Sequence, residues 1–394
     1  MARADIITST TAISALQYIG GGTIYPIQKN GAADTYYQIV MDSASDLSYI
    51  KSTDGGFTWS TPVVIRTGTL VAAANWYRRW SGIASDVIDI VYIDNNDIFY
   101  RSLDIATDTL GTETTVFDGA SSAGGGSLSV VTGRNGHIRV AGSIDAGAED
   151  GAWSSADDGA TWGDTIADPS EGATQDQYYL LPGWNADTAD VMLIFVDASA
   201  NGISVKRYDD DGNAWAETAI IADGSFVDTT PGASYPHVAV AVDLANSRNI
   251  VACWSAVDAA NQDLRVFIID DTTITETSAN AVLNATDDCG LVGLGIDTDT
   301  GDWYVFYAGN ADGSETWSSA VKVYYKISTD DGATWGSQTA LSSYVRGTAW
   351  LATVPRFATK WITAFYSDLT QDQIVASVLI PSAAPASGGQ GWWG

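Results

Sequence analysis

A short sequence pattern, SxDxGxxW, recurs along the chain and constrains its fold more than any other feature. Full copies begin at Ser52, Ser155 and Ser328, and a worn copy runs from Tyr208 to Trp215. Glycine adopts positive φ at little cost, and an aspartate side chain accepts hydrogen bonds from the N–H groups of a turn. Each copy therefore predicts a tight hairpin turn between two strands.

The spacing of the copies indicates a repeating unit. From Asp54 to Asp157 is 103 residues, the interval to Asp210 is 53, and the interval to Asp330 is 120. A repeating unit of roughly 50–60 residues accounts for these intervals: the first and the third interval each span two units, and the second spans one.

The pattern resembles the Asp-box, or bacterial neuraminidase repeat, of sialidase-like β-propellers. In that family the box lies on the turn between the third and fourth strands of a blade, away from the ligand face, and its tryptophan fills the space between neighbouring blades. The resemblance therefore implies an architectural role, and no catalytic one, for the box residues. These are Ser52, Asp54, Gly56, Trp59, Ser155, Asp157, Gly159, Trp162, Asp210, Gly212, Trp215, Ser328, Asp330, Gly332 and Trp335.

The charge balance excludes several classes of partner. The 394 residues carry 48 acids against 18 bases, a formal net charge of −30. Nucleic acid and acidic membrane surfaces are poor partners for such a chain, because both are bound by lysine and arginine. Only six of the acids are glutamates, and aspartate favours turns where glutamate favours helices. A halophilic or marine source would also explain the acidity.

Short β-rich runs bounded by Gly, Asp and Asn fill the chain between the boxes, and no amphipathic helix is evident. An aromatic residue is predicted to precede most first strands, at Tyr25, Trp80, Tyr179, Tyr235 and Trp350. From 25 to 350 is 325 residues over six intervals, about 54 each. We therefore expect an all-β, seven-bladed propeller of four-stranded antiparallel blades over residues 1–382; six blades plus a hairpin is the alternative. The run from Ile6 to Ala12 is expected to close the last blade as its fourth strand.

The catalytic residues of a sialidase are largely missing from the matching positions. The family holds a substrate carboxylate with three arginines, the first in an RIP motif, where this chain has Tyr25-Pro26-Ile27. The second should fall near residues 41–45, which contain no arginine, although Asp46 lies about where the acid aspartate would be. Another glycosidase would need two carboxylates about 5–10 Å apart, and no pair stands out. We predict a non-enzymatic protein; an Asp-box glycoside hydrolase with divergent catalytic residues is the alternative.

No cofactor or metal is expected. Cys253 and Cys289 are too few for a disulfide framework, and with His137 and His237 they form no metal-ligand spacing. Asp297, Asp299 and Asp302 lack the full spacing of a calcium loop and favour a hairpin turn.

A binding surface is the remaining candidate site. The segment from Trp76 to Trp80 is predicted to lie in the linker entering the second blade, which opens onto the ligand face of a propeller. Its rings and guanidiniums suit sugar stacking and carboxylate pairing. The predicted ligand-binding face comprises Tyr25, Trp76, Tyr77, Arg78, Arg79, Trp80, Tyr179, Tyr235, Arg346 and Trp350. The alternative is core packing and salt bridges between blades.

The last residues, 383–394, read as a flexible Gly/Ser/Pro tail ending in Trp392 and Trp393, a predicted anchor to another subunit. The sequence thus favours a recognition or structural protein of a larger assembly. The specific expectation is a virion surface, capsid-decorating or tail receptor-binding protein that binds host glycans. A protein-binding assembly scaffold is a further alternative. Neither a signal peptide pattern nor a membrane span is predicted, since no apolar run approaches about 18 residues.

Overall fold

The fold was analysed in a computed structural model. The structure describes residues 4–7, 24–41, 46–68, 70–95, 97–119, 128–145, 149–165, 177–197, 202–222, 238–254, 264–270, 273–277, 289–310, 321–341, 351–358, 362–368 and 373–379. The described strands form seven sheets in a β-propeller, which confirms the predicted fold class. One short 3-10 turn, Arg78–Ser81, is the described helical element. No helix in the described ranges is long and apolar enough to cross a membrane.

Strands are numbered β1 to β30 in chain order, and each sheet is one blade. The strand bounds, given by blade, are as follows. The N-terminal strand is β1 (Ala4–Ile7), and blade 1 is β2 (Ile27–Gln28), β3 (Tyr36–Met41), β4 (Leu47–Ser52) and β5 (Val63–Arg66). Blade 2 is β6 (Leu70–Tyr77), β7 (Val87–Asp94), β8 (Asp97–Asp104), β9 (Thr109–Leu110) and β10 (Thr114–Phe117). Blade 3 is β11 (Leu128–Thr132), β12 (Ile138–Asp145), β13 (Glu149–Ser155) and β14 (Asp164–Thr165).

The remaining blades follow the same order. Blade 4 is β15 (Gln177–Pro182), β16 (Val191–Asp197), β17 (Gly202–Asp209) and β18 (Ala214–Ala222). Blade 5 is β19 (Val238–Asp243), β20 (Arg248–Trp254), β21 (Leu264–Asp270) and β22 (Thr273–Glu276). Blade 6 is β23 (Cys289–Asp297), β24 (Trp303–Asn310), β25 (Val321–Ser328) and β26 (Thr339–Ala340), with β28 (Arg356–Phe357) on its inner edge. Blade 7 is β27 (Leu351–Thr353), β29 (Ile362–Asp368), β30 (Gln373–Leu379) and β1.

The first strand of the chain lies in the last blade. Strand β1 pairs antiparallel with β30, with Ala4 opposite Ala376 and Ile7 opposite Ile374. The two ends of the described chain therefore share one sheet, and a deletion at the N-terminus would remove a strand from blade 7.

Antiparallel pairing sorts the connections of every blade onto two faces. Connections between strands one and two emerge at the same end of a blade as those between strands three and four. All three SxDxGxxW copies lie between a third and a fourth strand, as the family resemblance implied: β4 and β5, β13 and β14, β25 and β26. The end of the ring that carries these turns is called the motif face below.

The core lies between neighbouring blades. Every residue of β3 and of β19 is buried, whereas β22, a fourth strand, alternates between exposed and partly buried positions. Inner and middle strands are covered on both faces by adjacent blades, so they take apolar residues at consecutive positions instead of in alternation.

Two of the aromatic residues that were predicted to precede first strands, Trp80 and Tyr179, lie elsewhere. Trp80 does not precede the first strand of blade 2; it lies in the 3-10 turn that follows β6 and connects it to β7. Trp76 and Tyr77 belong to β6 itself, so the segment is not the linker entering the blade, and it lies on the motif face. Tyr179 lies within β15, and Tyr25 precedes β2 as predicted.

Candidate functional site

Each full SxDxGxxW turn is held by hydrogen bonds among its own residues. In the first copy the Ser52 hydroxyl accepts from Gly56 N at 2.9 Å and donates to Asp54 Oδ1 at 2.8 Å. Asp54 accepts from Thr58 N at 2.9 Å and from Thr58 Oγ1 at 2.6 Å. Trp59 Nε1 donates to the Gly56 carbonyl at 3.0 Å. The motif aspartate is thereby committed to its own turn.

The other two full copies repeat the bonds of the serine and the aspartate within a tenth of an ångström. The second copy also repeats the tryptophan bond, whereas no acceptor for Trp335 Nε1 is found among the described residues. Gly159 N and Gly332 N donate to the serine hydroxyls at 2.9 and 2.8 Å. Gly56, Gly159 and Gly332 have φ of +90°, +81° and +82°, the left-handed region that the sequence pattern predicted. The worn copy lacks the serine, and Gly212 N donates instead to Asp209 Oδ1 at 3.2 Å. These contacts make the turns structural.

These bonds lower the pKa of the motif aspartates. Around Asp157 and Asp330 the bonds from the following threonine are the largest cause. Burial alone would raise the pKa of Asp54, but the bonds from Thr58 and Ser52 outweigh it.

The tryptophan of the second copy joins two blades. Trp162 packs edge-on against Tyr100 with ring centroids 5.3 Å apart, and its Nε1 donates to Thr114 Oγ1 at 3.2 Å. Thr114 in turn donates to the Gly159 carbonyl at 2.7 Å. Trp162 therefore fills the junction between blades 2 and 3, which is the role implied by the family resemblance.

Arg78 lies at the same junction and is almost fully buried. Its guanidinium contacts both carboxylate oxygens of Asp89, with Nη2 at 2.8 Å from Oδ1, and Asp89 is completely buried. Asp89 also accepts from Tyr100 at 2.8 Å and from Thr132 of blade 3. Burial alone would lower the pKa of Arg78, but the Asp89 charge outweighs it and raises this pKa. Arg78 is thus a charged element of the core.

Arg78 also belongs to a series of ion pairs that join neighbouring blades around the motif face. In each pair a base of one blade contacts an aspartate in the turn between strands three and four of the next blade. The pairs are Lys51–Asp108 (2.6 Å), Arg78–Asp158 (2.8 Å), Arg139–Asp210 (2.5 Å) and Arg248–Asp331 (3.0 Å). They cross the junctions 1–2, 2–3, 3–4 and 5–6.

Two of these aspartates follow directly after a motif aspartate. Asp158 and Asp331 have φ of +59° and +57°. This left-handed conformation is tolerated better by aspartate than by most residues. The first aspartate of each doublet binds its own turn and the second binds the neighbouring blade. Sequence analysis missed the second role; the only local signal was the DDG doublet.

The predicted ligand-face aromatics form a buried cluster. Tyr25, Trp76, Tyr77 and Trp80 are each at most 8 % exposed. Trp80 packs edge-on against Tyr25, Trp76 and Tyr77, with centroids 5.3 to 5.8 Å apart. Tyr25 N also donates to Asn75 Oδ1 at 2.7 Å, which ties blade 1 to blade 2. The structure brings these four residues together as core packing.

The other predicted ligand-face residues are dispersed. Arg79 pairs with Asp86 at 2.5 Å within blade 2, and Tyr77 donates to the same carboxylate at 2.7 Å. Tyr179 is buried in blade 4, and burial raises the pKa of its hydroxyl. Five predicted residues, Tyr235, Arg346, Trp350, Trp392 and Trp393, lie outside the described residues, and their roles stay predictions.

Asp46, the candidate acid, lies at the end of the ring opposite the motif face. It precedes β4, and its Oδ1 accepts from Gly68 N at 3.1 Å. Nearby, Arg66 of blade 1 pairs with Asp94 at 2.7 Å and Glu113 at 2.6 Å in blade 2. Arg66 also stacks on Phe99, 4.8 Å from its centroid. Its charge is therefore already balanced by protein carboxylates.

Potential metal ligands and the Cys253 thiol are two further candidates for site chemistry. No group of three or more metal-ligating side chains was found there. Cys253 is buried in β20, and burial raises the pKa of its thiol to about 12. A thiol with this pKa is a poor nucleophile and a poor ligand at neutral pH.

Comparison with known proteins identifies the fold. No protein-family model and no curated protein sequence matches the chain. Among solved structures, a polysaccharide lyase of family PL25, an ulvan lyase bound to -[GlcA(1-4)Rha3S]-, matches at 10 % identity and a TM-score of 0.54, over 95 % of this chain and 94 % of that one.

Two further matches have other activities or none assigned. A fungal alcohol oxidase of the AA5 family, in complex with copper, matches at 10 % identity and a TM-score of 0.60, over 91 % of this chain and 74 % of its own. A protein of unknown function from Dyadobacter fermentans DSM 18053 matches at 11 % identity and a TM-score of 0.52, over 96 % and 98 %. At such identities the likeness shows the fold alone.

Proposed function

We propose that this β-propeller is a non-catalytic recognition and structural module of a larger assembly. The observation that carries the proposal is the use of its few basic residues. Seven described bases reach the next blade: Lys29, Lys51, Arg66, Arg78, Arg134, Arg139 and Arg248. A sialidase-like enzyme uses arginine side chains to bind the carboxylate of its substrate. In this chain the described arginines named above instead bind groups of the neighbouring blade.

The position of the first family arginine supports the same proposal. Tyr25 replaces it, and Tyr25 is buried against Trp76 and Trp80. Residues 41–45, where the second family arginine would fall, contain no arginine, and a carboxylate without an arginine clamp does not orient an anionic sugar.

The narrower form of the proposal places the propeller on a virion surface or tail, where it binds host glycans. It rests on the sequence: an acid-rich chain suited to neither nucleic acid nor acidic membranes, with Trp392 and Trp393 as the anchor. A net charge of −30 favours neutral glycans over sialylated or other anionic glycans as ligands.

Catalysis and binding assays on the purified chain test the proposal. A fluorogenic sialoside and uronic-acid polysaccharides are incubated with the wild type and with Asp46→Asn, and released fluorophore and unsaturated products are measured. We expect no turnover by either protein, and turnover of any of these substrates by the wild type overturns the proposal. Fluorophore release that Asp46→Asn abolishes would establish the glycoside hydrolase alternative, whereas unsaturated products would indicate a lyase. A glycan array then tests the narrower form, which fails if no neutral glycan is retained.

A further inference from the structure

One guanidinium stands apart from the pattern of paired bases. Among the described residues, Arg356 is the arginine for which no hydrogen bond or ion pair is found, and its Nε is buried without an acceptor. Burial lowers the pKa of this guanidinium, and the charge of Asp243 opposes that effect. Arginine nevertheless stays protonated in proteins, so the site holds a positive charge to which no described carboxylate forms a hydrogen bond or an ion pair.

The backbone around Arg356 lies beside the axis of the ring. Strand β28 pairs in parallel with β23, the innermost strand of blade 6, with Arg356 opposite Ile296. Because the other edge of β23 is occupied by β24, residues 356–357 cover the edge that faces the central channel. The pairing is at the end of β23 that lies on the motif face.

Three hydrogen bonds and one ring contact hold this segment in place. Ile296 N donates to the Pro355 carbonyl at 3.0 Å, and Thr298 N donates to the Phe357 carbonyl at 2.7 Å. Ala358 N donates to Gln28 Oε1 of blade 1 at 2.6 Å. The Phe357 ring packs edge-on against Tyr304 at 5.4 Å. The arginine backbone is therefore held in place before any ligand arrives.

Asp243 does not neutralise Arg356. Its Oδ2 accepts from Arg248 Nε at 2.8 Å and from Asn246 Nδ2 at 2.8 Å, and its Oδ1 accepts from Asn246 N at 3.3 Å. No ion pair links Asp243 to Arg356 in the described part of the chain. A buried cation of this kind is costly unless something pairs with it.

We propose that Arg356 forms an oxyanion site at the motif-face mouth of the central channel, for a ligand that presents a single carboxylate. The planar guanidinium matches a carboxylate better than a spherical anion. Arg356 remains partly exposed although its Nε is buried, so a small ion reaches the side chain without unfolding the ring. The site is independent of any glycan site on the opposite face.

The test follows the arginine Nε–H signals of the full chain by nitrogen-15 NMR. Arg356→Gln assigns the signal, and acetate, sulfate and a short peptide with a C-terminal carboxylate are titrated at constant ionic strength with chloride. Arg265→Gln is the matched control, because Arg265 is already bonded to Glu276. Acetate should shift the Arg356 signal up to a saturating concentration. Comparison with the peptide titration decides whether the ligand is a free ion or the C-terminal carboxylate of a chain.

A stability measurement gives a second readout. A ligand that binds only the folded state at ten times its Kd lowers the unfolding equilibrium constant about elevenfold. Wild type and Arg265→Gln should gain this stabilisation from acetate, and Arg356→Gln should lose it. Equal responses of all three proteins, or an Arg356 signal that no oxyanion shifts, overturn the proposal.

Discussion

Arg78 in blade 2 donates from Nη1 to Asp158 Oδ1 in blade 3 over 2.8 Å, across 80 positions of sequence. The same guanidinium contacts the buried Asp89 of its own blade. One arginine thus joins an internal charge to an exposed turn, and the pattern recurs around the motif face. The stability of the ring should depend unequally on its two carboxylates.

Asp89→Asn should destabilise the protein far more than Asp158→Asn. Removing the buried partner leaves Arg78 with only the exposed Asp158 as a charged partner, and breaking a buried ion pair costs roughly 3–5 kcal/mol. The side chain of Asp158 is 79 % exposed, and an exposed pair contributes at most about 1 kcal/mol. Urea unfolding of both variants measures the difference. Equal losses of unfolding free energy in the two variants would show that the buried Arg78–Asp89 pair stabilises the ring no more than the exposed Arg78–Asp158 pair.

Gly159→Ala should destabilise more than Gly136→Ala. Both glycines have positive φ, so alanine meets similar backbone strain of about 1–2 kcal/mol at each. A Cβ at Gly159 would also overlap the Tyr100 ring of blade 2, whereas nothing lies within 4 Å of one at Gly136. The difference in unfolding free energy therefore isolates the packing between blades 2 and 3. The two variants would lose equal unfolding free energy if the Tyr100 ring could move away from the new methyl group at no energetic cost.

Deleting residues 1–7 should destabilise the whole ring. Strand β1 is the fourth strand of blade 7, so its loss exposes the edge of β30 and removes the backbone pairing between the two strands. A loss of several kcal/mol is expected on the scale of a few buried aliphatic side chains. Thermal unfolding of the deleted and full-length chains makes the comparison. An unchanged melting temperature would contradict a structural role for this pairing.

The motif aspartates should make stability fall in acid. The pKa values of Asp54, Asp157 and Asp330 are lowered in the folded chain, so their contribution is present above the unfolded-state pKa, near 4. It is lost as the pH falls through the lower folded pKa values, because the unfolded state then binds more protons. Unfolding free energy measured from pH 7 to pH 2 should fall less steeply in the Asp54→Asn, Asp157→Asn, Asp330→Asn variant. An unaltered slope would assign the acid sensitivity to other carboxylates.

Ser328→Ala should destabilise the third turn by about 1–3 kcal/mol, because the buried Gly332 N–H loses its acceptor. Thr334→Val is a useful partner variant, since it removes one bond to Asp330 at an exposed position. Chemical denaturation should rank Ser328→Ala as the more damaging change. The reverse order would indicate that the aspartate, and not the serine, fixes the turn.

Much of the architecture was predictable because it is local. Serine, aspartate, glycine and tryptophan within eight residues specify a tight turn, so the sequence pattern predicts that Asp54 accepts a hydrogen bond from an N–H group of its own turn. The placement of Trp80 was wrong for the opposite reason. In the sequence, an aromatic residue that precedes the first strand of a blade cannot be distinguished from one that follows it. The first strand of blade 2 begins at Leu70, so Trp80 follows that strand and does not precede it.

The sequence by itself determined that this chain is an all-β repeat protein with tight turns at the motifs, because a turn is decided by residues adjacent in sequence. The resemblance to the Asp-box family implied the propeller and the position of these turns between third and fourth strands. Only the tertiary structure decided that Asp158 and Asp331 bind the neighbouring blade while Asp157 and Asp330 bind their own turn. It likewise decided that Arg78 is paired and Arg356 is not. Partners of these charges lie tens of residues away along the chain, and the packing of one blade on the next alone brings them within bonding distance.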